Sequence, residues 1–233
     1  MVPPQLSLVG RRGSAFAFAP LDRPGEVMVE GRVSGPAAAW STSKVLIVAA
    51  YLDTAVDGRP DRISAGNRRL VAAALTRSDE TSVNLIRDQI VGRPGPAMTL
   101  VLRSIGDKST RVPDRYLGTM VWSIREQVRF MAALDAGRVV SPAASRYLLR
   151  AMRPMAAHSW GLGRVGATAY KGGWLRADTA TRQMGIVDGF AVAIITTTGP
   201  AVRQNDGDSA HVKQLNRLAR QLQQRLEFEK ACR

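Results

Sequence analysis

Directly after Trp40-Ser41-Thr42-Ser43-Lys44 comes Val45-Leu46-Ile47-Val48-Ala49-Ala50-Tyr51-Leu52, an uncharged run closed by Asp53. A stretch apolar on every helical face reads as a helix buried in a core, not one lying on a surface. Small, turn-forming residues, Ser34-Gly35-Pro36-Ala37-Ala38-Ala39, lead into it. In its first turn Ser41 and Lys44 stand three apart, neighbours on one face. An alcohol beside an amine at a helix N-terminus is a nucleophile with a candidate base, and the backbone dipole there favours developing negative charge. Ser41 reads equally as a plain helix cap. A Ser-x-x-Lys pair is short, so its context decides.

The chain has 233 residues, 45% of them hydrophobic, enough for a sizeable core in one or two domains. No apolar run approaches the roughly 20 residues that span a bilayer. Met1-Val2-Pro3-Pro4-Gln5 does not read as a signal peptide, so the chain is either cytoplasmic or preceded by a leader. The single cysteine, Cys232, rules out an internal disulfide. His158 and His211 show no ligand spacing with each other or with Cys232, so neither a metal nor a cofactor is expected. No Gly-x-Ser-x-Gly triad signature is present either.

The net charge of +14 and pI near 11.2 suggest attraction to polyanions: nucleic acid, an anionic wall polymer or a membrane surface. The cations are spread over Arg11-Arg12, Arg68-Arg69, Arg217, Arg220 and Arg225, with few aromatics between them. That favours a diffusely basic surface, with possible contact to an anionic polymer, over nucleic-acid binding.

Ser14 to Ala19 and Glu26 to Glu30 read as two strands of a hairpin around the turn residues Pro20 to Gly25. Residues 57 to 160 read as helical. The pattern predicts helices over Asp61 to Leu75, Thr81 to Val91 and Met98 to Ile105, with Gly92-Arg93-Pro94-Gly95-Pro96 as a break and Gly106 to Gly118 as a loop. Ser123-Ile124-Arg125-Glu126 is a capping box opening a helix through Leu134, and Ser141-Pro142 opens another that ends before Pro154. Thr168 to Trp174 is a strand. Gln183 to Val187 and Phe190 to Thr197 form a hairpin at Asp188-Gly189. Asn205-Asp206-Gly207-Asp208 is a turn, and a final amphipathic helix carries Val212, Leu215, Leu218, Leu222 and Leu226 on one stripe. The order predicts one antiparallel sheet from the outer segments, the last helix packed on it, a helical lobe between, and a site in the cleft.

Two further motifs complete a set. Ser78-Asp79-Glu80 lies before the Thr81 helix, with Asn84 inside it, and Lys171-Gly172-Gly173-Trp174 ends the short strand. Together with Ser41-Thr42-Ser43-Lys44, in this order and on these elements, the chain resembles the penicillin-recognising serine hydrolases: the serine β-lactamases and DD-peptidases, especially their class A-like branch. Trp40, Trp160-Gly161-Leu162-Gly163 and Met184-Gly185-Ile186 extend the resemblance over about residues 8 to 228. It implies an α/β two-lobe fold in one domain over 1–233, with a sheet lobe at about 1–40 and 165–233 and a helical lobe at about 41–164. It implies Ser41 as the acylated nucleophile, Lys44 as its general base, Ser78 as a proton relay to the leaving nitrogen, and Lys171 as the cation supporting Ser78 and drawing the substrate carboxylate. The backbone N–H groups of Ser41 and Trp174 would form the oxyanion hole, while Gly172 and Gly173 let the substrate backbone approach the strand edge.

Three departures qualify this. Glu80 stands where the family has asparagine; a carboxylate accepts where an amide would donate, so Glu80 either pairs with Lys44 or acts as a base itself. Gly172 replaces a threonine hydroxyl. No Glu-x-x-Leu-Asn segment, which would position a deacylating water, occurs between 106 and 122, where Asp114 lies. Arg182 shares a strand face with Met184, which takes the usual place of a carboxylate-binding arginine. Arg182 is either a substitute for it or an ordinary surface arginine. The expected function is a serine hydrolase forming a Ser41 acyl-enzyme on a β-lactam, peptide or ester substrate, with weak β-lactam turnover. Its rivals are a degenerate binding module for anionic ligands and a nucleic-acid binder. The resemblance implies an extracytoplasmic monomer.

Overall fold

The structure is a computed structural model that describes residues 8, 12–33, 35–176, 178–198 and 210–232. Five antiparallel strands form one sheet: β1 (Ser14–Pro20), β2 (Met28–Arg32), β3 (Ala169–Trp174), β4 (Thr181–Val187) and β5 (Phe190–Thr196), in the order β2-β1-β5-β4-β3. The predicted hairpins stand. β1 pairs β2 with Phe16 opposite Glu30, and β4 pairs β5 through Asp188-Gly189, both at positive φ as a two-residue hairpin turn requires. The turn expected at Asn205 to Asp208 lies outside the described residues.

Seven α-helices occur among those residues: α1 (Ser43–Val56), α2 (Ala65–Thr76), α3 (Glu80–Arg87), α4 (Pro94–Ser104), α5 (Ile124–Asp135), α6 (Pro142–Ala151) and α7 (Ala210–Ala231). Four begin at a side-chain cap: Ser64, Asp79, Ser123 and Ser141 each accept from the backbone N–H three residues on. The expected break at Gly92 to Pro96 is shorter than predicted. Pro94 opens α4 at its first helical position, where proline's missing N–H costs no helical bond. The capping box is half made: Glu126 turns from the Ser123 N–H to Arg129 at 2.7 Å. No helix among the described residues is long and apolar enough to cross a membrane.

Every strand but β2 is buried on both faces, unlike an antiparallel sheet with one wet side. Large side chains on one face (Phe16, Phe18, Val192, Ile194) pack with Leu215, Leu218 and Leu222 of α7. Small ones on the other (Ala17, Ala19, Ala191, Ala193) share a core with α5 and α1. There α1 is buried from Ser43 to Leu52, as its apolar run predicts. That core runs unbroken from sheet to helices, while Trp160, Leu162 and Val165 belong to the α7 side.

Arg182 corrects the sequence reading. It is neither on the surface nor in the cleft: it is 1% exposed, on the α5 face of β4. Its guanidinium donates to Ala37 O, Ala38 O, Trp122 O and Gln127 Oε1 at 2.5–3.2 Å. Burial lowers its pKa to about 10. Replacing it strands the buried carbonyl of Trp122 and the partly buried ones of Ala37 and Ala38, and a buried acceptor left unpaired costs about 1–3 kcal/mol. Arg182→Met should therefore lose about 2–3 kcal/mol in urea unfolding. A loss below about 1 kcal/mol would show that those carbonyls find water instead.

Candidate active site

Ser41 lies on a single 3-10 turn, Trp40–Thr42, that runs straight into α1. It caps nothing: neither Ala39 nor Thr42, the residues at the two helix starts, is joined to a side-chain cap. The turn is gripped from behind. Ala39 N–H donates to Met120 O at 2.8 Å, and Gln127 Nε2 donates to Thr42 Oγ1 at 2.9 Å while its oxygen receives Arg182. Trp40 sits at φ +45 and its indole N–H reaches Asp178 Oδ2 at 2.7 Å. β3 presses on the same turn: a Cβ at Gly173 would stand 2.5 Å from Ala39 O and 3.2 Å from Ser41 N. Only a glycine lets the strand come that close. As β3 is the sheet's edge strand, its outer backbone groups face this turn, not another strand.

Both lysines converge on Ser78. Lys171 Nζ donates to Ser78 Oγ and to Gly172 O, each at 2.9 Å. Lys44 Nζ donates to Ser78 O at 2.5 Å, lies 3.5 Å from Ser78 Oγ, and pairs with Glu80 Oε2 at 2.8 Å. Lys44 is 3% exposed and Lys171 2%, while the Glu80 side chain is 74% exposed. Ser78 holds φ +59, which turns its carbonyl and hydroxyl toward these amines. Burial first, then the Lys44 charge, pushes the Lys171 amine well below the usual lysine range, and Glu80 pulls it partly back.

Lys44, Ser78 and Glu80 line a cavity of about 1120 Å³ together with Ser41 and Trp174, and Lys171 meets it through its bond to Ser78. The predicted residues Ser41, Lys44, Ser78, Glu80, Lys171, Gly172, Gly173 and Trp174 are thus gathered at one place; Arg182 stands behind it. One expected contact is not made: Lys44 donates no hydrogen bond to Ser41 among the described residues. Its N–H groups go to Glu80 and Ser78 instead. Asp114 also lines the cavity but pairs with Arg93 at 3.2 Å. The sequence reading missed Gln127 and Asp178. An asparagine, aspartate or glutamine far from the motif carries no local signal that its side chain will reach a particular turn. Among the described residues no three His, Cys, Asp or Glu side chains group as a metal site.

The sequence model of the Beta-lactamase enzyme family matches residues 61–226, and the chain belongs to that family. Ser78 and Lys171 fall inside the matched span and Ser41 and Lys44 before it. Among solved structures, PBP-A is 21% identical, with 96% of this chain and 94% of that chain covered and a TM-score of 0.70. An engineered variant of the last common ancestor of the Gram-negative class A β-lactamases is 19% identical over 93% of each chain, with a TM-score of 0.71. A β-lactamase from Chitinophaga pinensis is 17% identical over 95% of this chain and 97% of that one, with a TM-score of 0.68. No curated protein matches in sequence. The class A β-lactamase fold is therefore the fold of this chain.

The buried Lys171 has a stability signature. Its folded pKa lies below the ordinary 10.5, so between those values the unfolded chain binds the extra proton and stability rises with pH. Measured against Lys171→Met, the native chain should gain ground as pH is raised from 7 toward 10 in urea unfolding. A difference that is flat or falls with pH would mean the ammonium is well solvated in place.

Proposed function

We propose that the protein is a serine hydrolase that acylates Ser41 with a β-lactam, peptide or ester substrate and releases the product slowly. The observation that supports it most is the double amine contact to Ser78, made in the cavity that Ser41 lines. Once Lys44 has passed a proton to Glu80 or to solvent, Ser41 Oγ attacks the substrate carbonyl carbon and its proton passes to the neutral Lys44 amine. The backbone N–H groups of Ser41 and Trp174 receive the oxyanion. Ser78, held by Lys171, returns a proton to the leaving nitrogen or oxygen as the tetrahedral intermediate collapses. Catalytic hydrogen bonds are often open before substrate arrives, so the missing Lys44–Ser41 contact does not count against the role. Support by analogy comes from a mutant of PBP-A, 20% identical, whose structure is an acyl-enzyme complex with penicillin G.

One feature favours slow release and another slows acylation. The segment from 106 to 122 contributes Asp114 to the cavity, and that carboxylate is engaged by Arg93. Lys44 must also leave Glu80 to reach Ser41. With its carboxylate mostly in water, the pair is worth about 1 kcal/mol, so the delay is small: about fivefold in rate. The fold and the basic composition also support an extracytoplasmic, anionic setting for this chemistry.

Intact-protein mass after penicillin or an activated ester should show one adduct, absent from Ser41→Ala. An unchanged mass across several β-lactams and esters would instead support the second reading, a binding cleft without turnover, in which Ser41→Ala keeps ligand affinity. Glu80→Gln should acylate about two- to fivefold faster in stopped-flow measurement. A drop of tenfold or more would assign Glu80 as the base in place of Lys44.

A further inference from the structure

The α7 side of the sheet carries cations that the cleft chemistry leaves unused. From Ala210 to Leu226 the helix holds Lys213, Arg217, Arg220 and Arg225 and no acidic residue. Arg225 is buried and engaged by Glu30 and Glu229, at 2.7 and 2.6 Å. Arg217 and Arg220 are exposed and form no ion pair among the described residues. Together with Arg12, from the segment before β1, they line a hollow of about 570 Å³. Its remaining polar wall is mostly amide. Gln214, Gln221 and Gln224 recur with Arg217 at steps of three and four residues, one continuous stripe along α7. A second hollow of about 310 Å³ shares Arg12 and adds Arg32. Among the described residues, neither hollow is lined by a carboxylate or an aromatic side chain.

The chemistry of that lining selects a ligand. Like charges on neighbouring helix positions repel, and an anion spanning them relieves the repulsion. Guanidinium forks take the paired oxygens of phosphate. Side-chain amides donate to and accept from hydroxyls. Two hollows that share Arg12, with arginines lining both, suit a chain bearing more than one phosphate. Single-stranded nucleic acid is held by stacking its bases on aromatic rings, and the described lining of this groove has none. We propose that the groove is a second binding site, separate from the Ser41 cleft, for a phosphate-bearing polymer of the polyol- or sugar-phosphate class. The sheet separates the two. β1 is three strand steps from β3, roughly 14 Å at the usual spacing, and α7 covers the face opposite α1.

The test uses the full chain and a fluorescent synthetic glycerol phosphate oligomer, followed by anisotropy at two salt concentrations. Binding should weaken as salt rises, and Arg217→Gln/Arg220→Gln should weaken it at least tenfold. Arg69→Gln/Arg146→Gln, which removes the same charge from exposed positions on α2 and α6, should change it less than threefold. Ser41 adduct formation should be equal in all three proteins, so failure here is distinct from failure of the acyl-enzyme reading. Equal losses in the two double variants would show a diffuse field with no groove and overturn the proposal. So would single-stranded or duplex DNA of matched charge binding more tightly than the oligomer.

Discussion

A guanidinium without a counter-carboxylate holds this site in place. Arg182 is buried, is lowered to about 10 by that burial, and spends its donors on neutral acceptors. An unpaired charge in a core is costly, and main-chain dipoles must offset it. The acceptors it gathers come from two segments that flank the Ser41 turn: Ala37 and Ala38 just before Ser41, and Trp122 and Gln127 around the start of α5. Gln127 passes the constraint on to Thr42. One side chain from the sheet thereby fixes the turn that presents Ser41, and β3 can press its glycine backbone against that turn because it does not move away.

The same arrangement explains what the sequence could reveal. The uncharged run after Lys44, the Asp188-Gly189 hairpin and the α7 stripe are local patterns, and each appears where predicted. The three motifs were readable because their spacing and order are local too. Arg182 was not. Alternation along β4 shows which face it shares with Met184, but not that α5 covers that face. The clue was the alanines: Ala17, Ala19, Ala191 and Ala193 keep that side of the sheet thin enough for a helix to lie on it. The Glu80–Lys44 pair that the sequence offered as one alternative is present, but spacing could not show that Lys44 also gives a hydrogen to Ser78 and none to Ser41.

Charge at the cleft is unevenly screened. Two nearly buried amines share one hydroxyl, and the carboxylate near them is mostly in water. Lys171 responds by losing affinity for its proton, with burial the larger cause and Lys44 the second. Glu80 thus does more than replace an amide: it is the acid that moderates the repulsion between the two lysines. An amide in its place would donate toward a substrate carbonyl but would leave the two cations facing each other unrelieved.

Trp40 and Ser78 both line the cavity, and both hold a positive φ that L side chains rarely adopt. Each such residue costs about 1–2 kcal/mol. Natural chains seldom sit at their stability optimum, and here part of the shortfall is stored at two positions that line the Ser41 cavity. Selection for heat resistance alone would relax that tension first. Glycine at 40 or 78 would relieve the backbone only by giving up the indole bond to Asp178 or the hydroxyl that Lys171 holds.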